Sequence, residues 1–213
     1  MTRILPGVIA MAAIVVASNI LVQFLILDGL LTWGAFTYPL AFLVTDIMNR
    51  VYGTQAARKV VFSGLVVGII CSLIGSQIML QGDGYEYPAV AIRIAIGSAT
   101  AFLVAQMLDI AVFNRLRDGS WWKAPLGSTL VGSTVDTAIF FSIAFAALFN
   151  GFSAAAADEI IWAQDAVPFL NVGPLVPLWV SLAVADWGVK LTIALLALLP
   201  FRLIVGRIQQ AKI

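Results

Sequence analysis

Histidine is absent from this chain, and cysteine occurs once, at Cys71. Without histidine the sequence lacks the commonest metal ligand and the usual proton shuttle near neutral pH. A single cysteine within an apolar run forms no intrachain disulfide and behaves as a small packing group. The phosphate-loop pattern Gly-x4-Gly-Lys-Ser/Thr, HExxH and Gly-x-Ser-x-Gly are also missing, so ATP hydrolysis and the common hydrolase chemistries have no carrier. No metal, no cofactor and no enzymatic activity are expected. Charge is scarce too: Asp, Glu, Lys and Arg make up 11% of 213 residues and sum to a net charge of +1. Such a balance offers nucleic acid no electrostatic footing.

What is present is apolar. Hydrophobic residues make up 62% of the chain, and the mean hydropathy is +1.02. That is far from the composition of a soluble domain. Apolar runs predict helices near residues 5–27, 33–49, 60–80, 89–113, 126–149 and 176–201, each close to the ~20 residues that cross a bilayer. The expected fold is an all-α membrane protein, a bundle of six transmembrane helices forming one domain over residues 1–213.

The connections set the direction. Arg3, then Arg50, Arg58 and Lys59, then Arg115, Arg117 and Lys123, then Arg202, Arg207 and Lys212 fall on one side. The opposite connections hold Asp28, Asp83, Glu86, Asp158, Glu159 and Asp165 and no Lys or Arg. By the positive-inside rule both termini are cytoplasmic. The run beginning at Leu5 is too long for a signal core and is read as a span. Residues 150–175 are read as a short amphipathic surface helix or a plain loop.

Within the spans stand only Asp46, Arg93, Asp109, Asp136, Asp186 and Lys190. A Lys, Arg or Asp at a helix centre costs roughly 2.5–3.5 kcal/mol on insertion scales, so each is expected to face a protein interior or a wet cavity. Asp186 and Lys190 are four apart and share a helix face. Asp136 has no opposite charge on its own helix and is flanked by Ser133, Thr134 and Thr137. It is the favoured functional acid, with a protonated structural role as the plain alternative. Arg93 lies near the outer end of its helix, where it would equally serve as a snorkelling anchor. In the second helix Pro39 cannot donate, so Phe36-Thr37-Tyr38-Pro39 is expected to be kinked or broken, on the helix that also carries Thr45 and Asp46. Transporters build substrate sites at such breaks, though a kink without a ligand explains the proline as well.

Gly64, Gly68, Ser72 and Ser76 recur every four residues, as do Gly97, Ala101 and Ala105. Small residues at this spacing let helix backbones approach closely. Trp33, Tyr85, Tyr87, Trp162 and Trp179 mark one membrane boundary and Trp121-Trp122 the other. A faint internal echo sets Asp46, Asn49 and Arg50 against Asp109, Asn114 and Arg115.

The stretch from Leu31 through Phe36-Thr37-Tyr38-Pro39 and Thr45-Asp46 to Gly53, followed by Ala57-Arg58-Lys59, resembles the queuosine precursor transporters of bacterial inner membranes. So do Ser18-Asn19 and Gln23, Arg93-Ile94-Ala95, Gln106 to Arg117, Trp121-Trp122, Ser128-Thr129-Leu130, Asp136-Thr137, and Asp186 with Lys190. The likeness implies a multi-pass inner-membrane carrier importing 7-cyano-7-deazaguanine, or its aminomethyl relative, for queuosine salvage in tRNA. The same size and span count suit the substrate-binding subunit of an energy-coupling-factor vitamin transporter, the alternative reading. Tyr38 stands where phenylalanine is usual in that family.

A 7-deazaguanine presents a ring N–H and an exocyclic amine that one carboxylate can accept together, and a flat ring that stacks on aromatics. Asp136 or Asp46 is expected to take this edge, Phe36 or Tyr38 to stack, and Asn19, Gln23 and Gln106 to bond the remaining polar atoms. Asp186 with Lys190, and Asp109 with Arg93, are expected as gating or structural ion pairs. The expected partners are the 7-deazapurine and the lipid bilayer, with no nucleic acid. A homo-oligomer fits the sequence, and no feature requires an ATPase partner.

Overall fold

The computed structural model describes residues 4–22, 24–27, 29–81, 86–148 and 160–210. The chain is an all-α membrane protein. Among the described residues six helices have thirteen residues or more: α1 Leu5–Leu21, α3 Leu40–Tyr52, α4 Thr54–Gly75, α5 Ile92–Leu116, α6 Lys123–Phe145 and α7 Leu178–Gln210. A four-residue helix, α2 Gly34–Thr37, precedes α3. Helices α4 to α7 are long and apolar enough to cross a membrane, and α1 is a shorter apolar helix.

Several boundaries differ from the sequence reading. Helix α1 stops at Leu21 instead of running to residue 27, because the chain reverses through a two-stranded hairpin, Leu25–Ile26 against Leu31–Thr32. Leu27 (φ 51°) and Gly29 (φ 85°) take left-handed conformations in this turn. Helix α4 starts at Thr54, six residues earlier than expected. Gly53 (φ 84°, ψ 173°) turns the chain by itself, so Arg58 and Lys59 ride on the exposed first turns of a helix and not in a loop. Helix α6 begins at Lys123 and ends at Phe145, and α7 runs on to Gln210 through Pro200. At 33 residues α7 is about 50 Å long, more than a ~30 Å hydrocarbon core requires.

Between α2 and α3 the dihedrals of Tyr38 (φ −57°, ψ −41°) and Pro39 (φ −61°, ψ −20°) stay helical. The α-type bonding nevertheless lapses there. Ala41 N–H donates to Tyr38 O and Phe42 N–H to Pro39 O, tighter three-residue bonds that follow from the missing proline donor.

Connections alternate in kind. Hairpins Leu25–Ile26/Leu31–Thr32, Met79–Gln81/Glu86–Pro88 and Ala166–Pro168/Leu175–Pro177 join α1 to α2, α4 to α5 and α6 to α7. The other end has only Gly53 and the short turn after Leu116. Of the 150–175 segment, where a surface helix or a plain loop is expected, residues 150–159 lie outside the described residues, and the described part begins at Ile160. It forms 3-10 turns and a hairpin, with Ile160 and Ala163 fully buried against Phe141, Ala144 and Phe145.

The small-residue seams admit specific neighbours. A Cβ on Gly64 would fall 2.6 Å from Met11 Cγ, and one on Gly68 3.3 Å from Val15 Cγ1, so α1 lies in this groove of α4. A Cβ on Gly97 would fall 3.3 Å from the backbone N of Ala144 and O of Phe140, which sets the close approach of α5 and α6. At the end where α3 meets α4, Arg50 donates to Arg117 O (2.6 Å) and Asn114 donates to Thr54 Oγ1 (2.9 Å). Each contact uses one residue of the internal echo, Arg50 or Asn114, and neither joins two of them.

Candidate functional site

Polar side chains gather in two layers inside the bundle. The first is built on the α2–α3 junction, α6 and α7. Tyr38 donates its hydroxyl to Asp136 Oδ1 at 3.1 Å. Lys190 Nζ donates to Asp136 Oδ2 (2.7 Å) and Thr137 Oγ1 (2.9 Å) and meets Asp186 Oδ2 at 2.5 Å. All three ammonium protons thus have acceptors. Thr137 passes its own proton to Asp186 Oδ2 at 3.0 Å. Consecutive placement on α6 brings Asp136 and Thr137 to one ammonium, and four-residue spacing on α7 brings Asp186 to it. The Tyr38 ring lies 5.6 Å from Lys190 Nζ and meets Phe102 edge-on at 6.1 Å. Asp136 and Lys190 are 2% and 3% exposed, whereas the Asp186 side chain keeps 17% of its surface. Asp186 is therefore the more exposed acid of this layer.

The second layer joins α3, α5 and α6. Ser128 and Thr129 donate to the two oxygens of Asp46 at 3.1 and 3.3 Å. Thr45 donates to Gln106 Oε1 at 2.6 Å. The carboxyl of Asp109 faces that of Asp46. Ser128 lies near both but has one proton, and it is given to Asp46. Both Asp109 oxygens and Gln106 Nε2 are buried without a hydrogen-bond partner among the described residues. Gly132 makes the approach possible, since a Cβ there would stand 3.3 Å from Asp109 Cβ and 2.8 Å from Phe42 Cε1. A cavity of about 10 Å³, room for one water, adjoins Asp46, Thr129 and Phe201.

Tyr38 and Asp46, and likewise Asp136 and Ser128, are eight residues apart. Helical rise therefore sets the layers about 12 Å apart along the bundle.

The structure brings Tyr38, Asp136, Asp186 and Lys190 together, and separately Asp46, Gln106 and Asp109. The remaining candidates lie elsewhere. Asn19 donates to Val15 O on its own helix (2.9 Å). Phe36 is exposed beside Trp33, with ring centroids 6.0 Å apart. Gln23 lies outside the described residues. The expected pair of Asp109 with Arg93 is not formed, because sixteen residues of α5 hold them about 24 Å apart. Arg93 instead donates to Ile143 O (2.7 Å) and Ala146 O (2.5 Å), carbonyls left open where α6 ends and favourable to a cation. The pairing of Lys190 with Asp136 and the part played by Phe102 went unforeseen, since contacts between helices leave no mark in residue order. Only the position of Thr137 beside Asp136 hinted at them.

Residues 32–205 match the model of the family described as "Putative vitamin uptake transporter". The chain belongs to this family. It is 36% identical over 176 residues to the "Probable queuosine precursor transporter" of Haemophilus influenzae, covering 79% of this chain and 66% of that one. It is 40% identical over 141 residues to the "Queuosine precursor transporter" of Escherichia coli, covering 62% of this chain and 64% of the relative. A "Probable queuosine precursor transporter" of Bacillus subtilis is 30% identical over 132 residues, covering 55% of this chain and 58% of its own. The matched part of the chain thus spans 58–66% of the length of these curated relatives. No solved structure matches it.

Proposed function

We propose that this protein imports a queuosine precursor of the 7-deazaguanine class, binding it at the layer formed by Tyr38, Asp136, Asp186 and Lys190. The observation that carries this reading is the pairing, inside an apolar bundle, of two carboxylates with one ammonium beside an aromatic ring. The heterocycle's edge offers two adjacent donors and one carbonyl acceptor, and this layer offers their complements. Asp186, the acid with exposed surface, receives the donor pair first. Lys190 turns from it toward the carbonyl, and Tyr38 supplies a face for the ring. Charged groups held at membrane depth ordinarily mark a substrate or ion path, and the names of the relatives supply the substrate class.

The helices form six spans, with α2 and α3 together making the second. Both termini lie in the cytoplasm, since the basic residues flank the hairpin-free end. The membrane is the bacterial inner membrane. The protein works as a carrier and not as a catalyst, and needs no ATPase subunit. The word "vitamin" in the family's description favours the alternative, a binding subunit dependent on such a partner. Reconstitution of the chain alone separates the two. Cells unable to make the precursor should take up labelled 7-cyano-7-deazaguanine only when they express this chain. Asp136→Asn and Asp186→Asn should each lower uptake by an order of magnitude. Full uptake by both variants would remove the proposal.

A further inference from the structure

The second layer needs an explanation the substrate does not supply. Asp46 and Asp109 face each other, and no Lys or Arg contacts either among the described residues. On α3 the nearest cation is Arg50, one turn away, and its guanidinium donates to Arg117 O. The face of α4 toward this core is apolar, with Ala57, Val60 and Val61. From α6 come Ser128, Thr129 and Gly132, and from α7 Ala194, Ala197, Leu198 and Phe201. Lys190, the one cation α7 brings into the bundle, is taken by the first layer.

Two facing carboxylates without a cation repel, and burial removes the water that would screen them. A single proton relieves both problems, because one acid then donates to the other. Independently, Gln106, 0% exposed, has its amide oxygen occupied by Thr45 and its nitrogen unpartnered. The layer is therefore short of partners in the state described. The adjoining cavity, about 10 Å³, is far too small for a heterocycle and adequate for a water delivering a proton.

We propose that Asp46 and Asp109 together hold one proton, taken up and released once per transport cycle, so that this pair couples import to the proton gradient. The inference rests on the carrier reading above. The test uses the full chain purified into liposomes, with labelled 7-cyano-7-deazaguanine as probe. Exchange between labelled and unlabelled pools without an ion gradient reports the carrier alone. An inside-alkaline pH gradient at zero membrane potential, and separately an inward sodium gradient, report coupling. With one proton per substrate, one pH unit should drive roughly tenfold accumulation in the wild type, and sodium none. Asp109→Asn, with Asp46→Asn in parallel, should keep exchange and lose accumulation. No exchange by the wild type removes the carrier reading and this inference with it. Exchange without pH-driven accumulation, accumulation driven by sodium, or accumulation retained in both variants overturns this inference alone. Loss of exchange in both variants also overturns it, since the pair would then belong to the substrate's path.

Discussion

The two polar layers use the same carboxyl chemistry and solve its burial in opposite ways. Around Lys190, two acids share an ammonium, a threonine and a tyrosine hydroxyl. Around Asp109, two acids face each other, and among the described residues no cation meets them and three buried polar atoms lack partners. The first layer is held by its internal attraction, and under the proposed reading a ligand must replace those contacts with matching donors and acceptors. The second is under-satisfied and gains from something as small as a proton. Charge placement, and not the number of acids, separates the two layers, and the recognition and coupling roles proposed for them rest on that difference.

The largest expected effect breaks the first layer. Lys190→Met keeps the chain's volume and leaves two buried carboxylates uncompensated, which should cost about 3–5 kcal/mol, the range for breaking a buried pair. Thermal unfolding in detergent should show it. The double variant Lys190→Met with Asp136→Asn should recover part of the loss, and no recovery would mean that the lysine matters through packing alone.

Next in size is the close contact beneath Asp109. At Gly132 a Cβ would sit 2.8 Å from the Phe42 ring and 3.3 Å from Asp109 Cβ, so Gly132→Ala should destabilise by about 1–3 kcal/mol through overpacking. Gly188 on α7 meets nothing within 4 Å. Gly188→Ala should therefore be neutral or add up to about 1 kcal/mol, the ordinary gain of alanine over glycine in a helix. Equal melting temperatures for these two variants would contradict the packing described for α5 and α6.

Smaller again is Tyr38→Phe. It keeps the ring against Phe102 and Lys190 and removes the hydroxyl bonded to Asp136. A hydrogen bond to a charged group is worth about 1.5–3 kcal/mol. The half-buried position of Tyr38 puts the loss near the lower end. Precursor affinity should change more than stability if the ring and hydroxyl face the ligand, as isothermal titration would measure.

How far the sequence could foretell this contrast depended on distance along the chain. The helices were legible because ~20-residue apolar runs follow from bilayer thickness. So was the Asp186–Lys190 pair, because four-residue spacing is a local rule. The end of α1 was not, since it is fixed by the Leu25–Ile26 hairpin folding back against Gly34, where a Cβ would stand 3.0 Å from Val22 N. All six charges of the apolar runs were visible, but apart from Asp186 with Lys190 their partners were not. Asp109 was matched with Arg93 by sign, yet α5 keeps them far apart and sets Asp109 against Asp46, a like charge that no pairing rule would choose. Lys190 reached across to Asp136 on another helix for the same reason: helix rotation and register are set by seams such as Gly97 and Gly132, whose neighbours appear only in the fold.

The smallest stability effect is also the most discriminating. Removing a charge from a satisfied ion pair destabilises, whereas replacing one of two acids that face each other without a cation removes no attraction. An asparagine at 109 keeps one acceptor and gains two donors, enough to bond Asp46 Oδ1 or Oδ2 without any proton from solution. Asp109→Asn should therefore unfold within about 1 kcal/mol of the wild type, on either side, since a typical hydrogen bond nets about that much. Its melting temperature should also depend less on pH than that of the wild type, because the pair proposed to share a proton has been replaced by one with a permanent donor. Asp136→Asn makes the opposite change. It takes a negative charge from an ammonium that has two, and should cost more. If the two asparagine variants prove equally destabilised, the acids of both layers are alike in their surroundings, and the division between recognition and coupling loses its physical basis.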